Sequence, residues 1–175
     1  MELLLSSQLA SRLRRELKRR GRREVGGVLM GEHLGTDRFR VADLTVQRAA
    51  GDAVCFTRNL DEHREQLREF FDRTGRDYTR FNYLGEWHSH PSFTPLPSIV
   101  DLQTMQSIVS DSRVGVLFAV LIIVRLESGR QLQLSACAFA PGSPVPLDVD
   151  VRIEATEMAT AKVGVFQRLR AWFKL

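Results

Sequence analysis

Gly85 to Asp101 reads GEWHSHPSFTPLPSIVD, and the rest of the chain is best read outward from it. Two of the chain's four histidines, His88 and His90, stand here one residue apart. On a β-strand, residues two apart share a face, so Glu86, His88 and His90 point the same way. Pro91 cannot donate to a ladder and ends the strand just past the pair, where solvent can enter. Two imidazoles so placed can hold one divalent ion, with Zn–N distances of roughly 2.0–2.1 Å. After a proline-rich return, Ser98 suits a helix N-cap and Asp101 falls three residues later, in the first turn. A carboxylate there points back toward the incoming loop and the histidines. Two histidines and one aspartate leave a fourth zinc position for water, which separates a catalytic site from a structural one. Each half has a plainer reading: His-x-His is common on solvent-facing strands, and Ser-x-x-Asp is the usual cap. An Asp turned fully onto its own N-cap amide would not reach a metal. The specificity lies in the combination on one strand–loop–helix.

The flanking sequence supplies the rest of an α+β pattern. Ser7 to Arg20 carries Leu9, Leu13 and Leu17 among charges and predicts an amphipathic helix. Glu24 to Gly31 (EVGGVLMG) predicts a short apolar strand whose glycines let another backbone approach closely. Phe39 to Val46 alternates as a half-buried strand does. Asn59 to Thr74 places Leu60, Leu67, Phe70 and Phe71 on one face of a helix ending at Gly75. Phe81 to His90 reads as a strand, and Ser98 to Ser110 as a helix. Val114 to Leu126 and Gln131 to Phe139 read as a hairpin turning near Ser128-Gly129. Pro141 to Pro146 reads as a loop, Val149 to Ile153 as a last strand, and Thr156 onward as a terminal helix. No repeat or linker interrupts this, so residues 1–175 are expected to form one domain, a curved sheet between helices.

Composition narrows the class. At 43% hydrophobic and 26% charged residues, the chain is ordinary for a globular protein. Cys55 and Cys137 lie far apart in apolar stretches and read as buried thiols of a reducing compartment. The longest apolar run, Val114 to Val124, is too short to span a bilayer, and MELLLSSQ lacks the basic start of a signal peptide. A cytoplasmic location is expected, with no membrane partner. The sequence pI is near 9.6, and Arg12 to Arg23 holds eight Lys/Arg against one acid, Glu16. That run can dock an acidic partner by long-range attraction, or serve as a solvated helix face. It lacks interleaved aromatics, so nucleic acid is not the expected partner.

Hydrolysis at such a metal needs a general base. Glu86 qualifies by strand parity and Glu24 by heading a glycine-containing strand; the residues alone do not choose. Residues 24 to 31 read E-x-x-G-x-L-x-G and residues 88 to 101 read H-x-H-P-x6-S-x-x-D. Together they resemble the paired signature of the JAMM (MPN-plus, JAB) metallopeptidases, over about residues 20 to 140. The resemblance implies the JAMM/MPN (cytidine-deaminase-like) fold, with terminal helices packed on the catalytic core. It implies one zinc ion on His88, His90 and Asp101, Glu24 as the base, Ser98 steadying the oxyanion, and Glu86 as a neighbour.

The Gly-Glu-Trp before the histidines is similar to the prokaryotic branch encoded beside relatives of ubiquitin-activating and ubiquitin-conjugating enzymes. That branch includes peptidases of CBASS and other antiphage operons. The implied activity is isopeptide or linear cleavage after the C-terminal glycine of a ubiquitin-like protein. The implied partners are that tail, its conjugated target and companion activating and conjugating proteins. Two rivals share the site: a peptidase clipping a ThiS-like sulfur-carrier tail, and a zinc-stabilised binding module without turnover. A scaffold has no need of a base and an oxyanion donor, which weighs against the second.

Overall fold

The computed structural model describes residues 1–47 and 60–155. Cys55, the Asn59 start of the second helix, the Leu60 side chain and the terminal helix expected from Thr156 lie outside the described residues. In chain order the elements are β1 (Glu2–Ser6), α1 (Ser7–Arg20), β2 (Gly26–Gly35), β3 (Arg38–Leu44), α2 (Leu60–Arg73) and β4 (Phe81–Ser89). There follow α3 (Ile99–Ser110), β5 (Ala119–Glu127), β6 (Gln131–Phe139), β7 (Leu147–Asp148) and β8 (Asp150–Glu154).

The strands form one mixed sheet in the order β7-β6-β5-β4-β2-β3-β1-β8. The two edge strands are consecutive in sequence, joined through Val149 alone. The Val149 N–H donates to Ala136 O on β6, and the Asp150 N–H donates to Met1 O beside β1. The edges are thereby drawn together and the sheet is curved and nearly closed, which removes most of its free edge. The expected hairpin is present, with φ of 50° at Ser128 and 68° at Gly129.

β1 is the element that the sequence reading did not anticipate. Met1-Glu2-Leu3-Leu4-Leu5 shows no alternation, because all three leucines are buried, with Leu3 and Leu5 fully so. Its partners, β3 and β8, both run parallel to it and are distant in sequence. The strand at 114–126 also begins later than expected, at Ala119, since Val114 and Gly115 turn back onto Asp111 O.

β5 is buried on both faces, and its alternation divides the core. Val120, Ile122 and Val124 join Leu3, Leu5, Leu13, Leu17 and Trp87 on the α1 side. Ala119, Leu121 and Ile123 join Met105, Ile108, Val109 and Phe139 under α3. α1 starts at Ser6, whose hydroxyl accepts the Leu9 N–H, and stops at Gly21 with φ 61°. It buries Ala10, Leu13 and Leu17, three and four apart on one face. Full burial of each such leucine stabilises the fold by about 1.5–3 kcal/mol before chain entropy is set against it.

Candidate metal centre and its cavity

A bulge in β4 decides which side chains reach the site. Along β2, Leu29 pairs with Gly85 and Met30 with Tyr83, so Leu84 is an extra residue opposite a single step. Tyr83 faces the α3 side and Leu84 the α1 side. After the bulge the parity is reversed. Trp87 now faces the α1 core, where its indole N–H donates to Thr45 O at 2.9 Å, while Glu86 and His88 face the α3 cavity. Gly85 takes φ 149°, and a Cβ there would stand 1.9 Å from Val120 O, so both dihedral and space require glycine. At Gly27 space alone requires glycine, since a Cβ would meet Thr45 O at 2.1 Å.

His88 pairs with Gly26 on one side and Ile123 on the other, near the end of β4. His90 lies just past the strand, its N–H donating to Val124 O at 2.9 Å. Ser89, between them, points the other way and is fully buried. Its hydroxyl accepts the Val25 N–H at 3.0 Å, and its own N–H donates to Val25 O at 2.8 Å. These two bonds fix the residue after Glu24 against the residue between the histidines, across 64 positions of sequence. Glu24, half-buried, therefore opens into the same cavity as the histidines.

The imidazoles converge. His88 Nε2 and His90 Nε2 are 3.2 Å apart, and Asp101 places Oδ1 3.1 Å from the first and Oδ2 3.6 Å from the second. One donor atom from each residue lies within 4.8 Å of the others, a set suited in kind and spacing to a divalent ion. Asp101 also completes the helix cap. Its Oδ2 accepts the Ser98 N–H at 2.7 Å, and the Ser98 Oγ accepts the Asp101 N–H at 3.2 Å. The cap and ligand readings are thus compatible in one carboxylate, which offers about four lone-pair sites.

Burial alone would raise the Asp101 pKa. The hydrogen bonds from His88 and Ser98 and the charge of His88 outweigh it, and hold the carboxyl well below the usual carboxylate range. His90 is moved down by burial first and by the neighbouring His88 second, so its ring favours the neutral form that ligates a metal.

The cavity is about 550 Å³ and open to solvent. Glu24, Glu86, His88, His90, Ser98 and Asp101 are among its polar groups, while Leu96, Pro97, Val100, Met105 and Leu121 supply an apolar wall. Every site residue expected from sequence is brought here, Glu86 included, which is buried on the cavity side of β4. The sequence reading missed Ser89, which looked like a spacer inside His-x-His, and the apolar rim of Phe93, Leu96 and Val100. The three rim residues are exposed; apolar residues on the proline-rich loop and in the first turn of α3, beside a ligand motif, were the available signal.

The basic run is split by the fold. Arg12 pairs with Asp43 at 2.8 Å, Arg20 donates to Gln47 O, and Arg19 lies 3.5 Å from Glu16. Arg15, Lys18, Arg22 and Arg23 are exposed, and the last two lead directly into Glu24. Cys137 is buried under α3, and burial with the charges of Asp148 and Asp101 pushes its thiol up to about 11. Among the described residues, no helix is long and apolar enough to cross a membrane.

Comparison with known proteins bears on the family and the fold. The family model described as prokaryotic homologs of the JAB domain matches residues 6–135. A CD-NTase/cGAS isopeptidase of Enterobacter hormaechei is 27% identical over 146 residues, covering 83% of this chain and 78% of that protein. A CD-NTase/cGAS isopeptidase of Vibrio cholerae is 35% identical over 92 residues, covering 50% of this chain and 56% of its own. Among solved structures, a protein from Desulfitobacterium hafniense superposes with TM-score 0.59 at 18% identity, covering 89% of this chain and 97% of that one. A protein from Salinibacter ruber superposes with TM-score 0.51 at 22% identity, covering 90% and 94%. At such identities these two likenesses speak for the fold alone.

Proposed function

This chain belongs to the prokaryotic JAB-domain family, and on that footing we propose that it is a zinc-dependent isopeptidase. In this reading it cleaves after the C-terminal glycine of a ubiquitin-like protein, in a bacterial conjugation system of antiphage defence. The observation that carries the proposal is the convergence of His88, His90 and Asp101 in one cavity with Glu24 and Ser98. The relatives' shared description as CD-NTase/cGAS isopeptidases supports an isopeptide substrate, with a nucleotidyltransferase of that kind as the conjugated target.

His88, His90 and Asp101 would hold the zinc, which when bound supplies Lewis-acid polarisation and a water acidic enough to ionise near neutral pH. Glu24 takes the proton of the attacking water and returns it to the leaving amine, the work of a carboxylate open to both cavity and solvent. Ser98 uses its oxygen as acceptor for the Asp101 N–H, so its hydroxyl hydrogen stays available to the carbonyl oxygen as charge builds there. Glu86, buried beside the histidines, shapes the field around them. A tail ending in glycine brings no side chain to the rim, so its carbonyl can reach the floor of the cavity. The exposed cations Lys18, Arg22 and Arg23 would steer an acidic face of the substrate toward it.

The test is a substrate panel on the metal-loaded enzyme: an isopeptide conjugate, a linear fusion and a sulfur-carrier tail. Cleavage of the ubiquitin-like conjugate after glycine is expected, lost on chelation and restored by about one equivalent of zinc. Full activity after exhaustive chelation would refute the metal reading, and cleavage of the sulfur-carrier tail alone would refute the substrate.

A further inference from the structure

Between His90 and Ser98 the chain makes no regular structure, yet its carbonyls are held at specific points. Phe93, Thr94 and Pro95 present three consecutive carbonyls. The first accepts from Arg125 Nη1 at 3.2 Å, and the third accepts from the Ser135 hydroxyl. The middle one, Thr94 O, lies 3.4 Å from His90 Nδ1 and also accepts the Leu96 N–H at 2.8 Å. Arg125 and Ser135 belong to the β5–β6 hairpin. Arg125 stands opposite Gln133, and Ser135 stands opposite Ile123 in the register. Ile123 faces α3, so the alternation puts Arg125, Gln133 and Ser135 on the same side of the sheet as the site. Arg125 is fixed in turn: its Nε donates to Gln133 Oε1 at 2.6 Å, and its Nη2 lies 3.5 Å from Glu127 Oε1.

We propose that Arg125 and Ser135 are positioning residues for the metal centre: by anchoring the carbonyls on either side of Thr94, they aim Thr94 O at His90 and so set which imidazole nitrogen faces the other ligands. A carbonyl can only accept. With Thr94 O beside it, His90 Nδ1 carries the hydrogen, and Nε2 keeps its lone pair toward His88 Nε2, 3.2 Å away, whose own hydrogen can meet it. Partners that orient a histidine ligand in this way typically change metal affinity about 10–100-fold when removed. Neither residue lines the catalytic cavity, so each acts only through the loop. A guanidinium suits the first position because it can serve Phe93 O and Gln133 at once, in a fixed plane. The inference rests on the metal reading for its consequence, but the tautomer it asserts exists in the metal-free protein.

The experiment therefore has two arms, run on the full chain for the native protein, Arg125→Ala, Ser135→Ala, the double variant and Arg125→Lys. The first arm reads the His90 ring nitrogens by ¹⁵N NMR without metal, at mildly alkaline pH where imidazole is neutral. The native protein is expected to show Nδ1 protonated, and the double variant a mixture of tautomers with the melting profile little changed. The second arm measures zinc affinity by competition with a chromophoric chelator. A loss of about 10–100-fold is expected in the double variant, with partial recovery in Arg125→Lys, which reaches Phe93 O but not Gln133 as well. An unchanged tautomer in the double variant, or zinc affinity equal to native, overturns the proposal. A native protein that shows the tautomer but binds no zinc would instead refute the metal reading and leave the anchoring in place.

Discussion

The two faces of β4 and β5 are built from alternate residues of the same strands, yet they are chemically unlike. On the α1 face, Leu3, Leu5, Leu13, Leu17, Trp87 and Ile122 form an apolar layer, and the one polar atom of the Trp87 side chain is hydrogen-bonded. On the α3 face, Leu121, Ile123 and Met105 share the space with the buried Glu86, His88 and His90. Apolar burial stabilises without direction, whereas buried polar groups are tolerated only where partners meet them. The α1 face can therefore carry the stability of the fold. The α3 face instead gathers titratable groups around one open cavity, where His88, His90 and Asp101 bring one donor atom each within 4.8 Å of the others. The sheet separates the two tasks, and the bulge at Leu84 and Gly85 assigns the histidines to the second.

If that separation holds, the two faces should fail differently. The largest effect is expected on the site face. Glu24→Ala should lower turnover by about 10²–10⁴-fold, with zinc content and melting temperature near native, because only proton transfer is removed. Metal analysis, calorimetry and kinetics on one preparation would check it. An active Glu24→Ala beside an inactive Glu86→Ala would move the base to the other carboxylate of the cavity.

Leu13→Ala on the α1 face should do the reverse. Leu13 is almost fully buried, and its truncation should cost about 2–5 kcal/mol of stability. Denaturant unfolding would measure this, while kcat below the melting range should stay within a factor of about two if the faces are independent. A coupled loss of kcat would show that the site leans on the α1 core directly.

The smallest effect belongs to the exposed cations at the end of α1 and just before Glu24. Reversing Lys18, Arg22 and Arg23 to glutamate should raise KM for a protein substrate several-fold at low salt and much less at physiological salt, where the screening length is about 8 Å. Hydrolysis of a short peptide should hardly change. Steeply salt-dependent DNA binding by the native protein would make this basic surface a phosphate-binding one instead.

Much of the site was legible because its pieces are local. His88 and His90 share a strand face, and Ser98 and Asp101 share a helix turn, so period and capping rules suffice to bring each pair together. α1 was legible to its exact bounds for the same reason: its leucines repeat every four residues, Ser6 caps it and Gly21 ends it. β1 was not, because a run of three buried leucines has no period, and its strand character comes from partners 36 or more residues away. The rule that Glu86, His88 and His90 share a face survived because the bulge lies upstream of all three; had it fallen at Trp87, the same sequence rule would have failed.

What the sequence by itself determined is the kind of chemistry: two imidazoles, a capping carboxylate and a serine, at spacings set by the 3.3 Å rise of a strand and the first turn of a helix. The tertiary structure alone decided the rest. It set Glu24 beside the histidines through Val25 and Ser89, let Asp101 cap and face the imidazoles at once, and laid the Phe93–Pro95 carbonyls against Arg125 and Ser135. The reason is physical. Local spacing fixes only neighbours along the chain, while approaches across 32 to 64 positions depend on how every strand in the sheet is paired, and no short stretch contains that pairing.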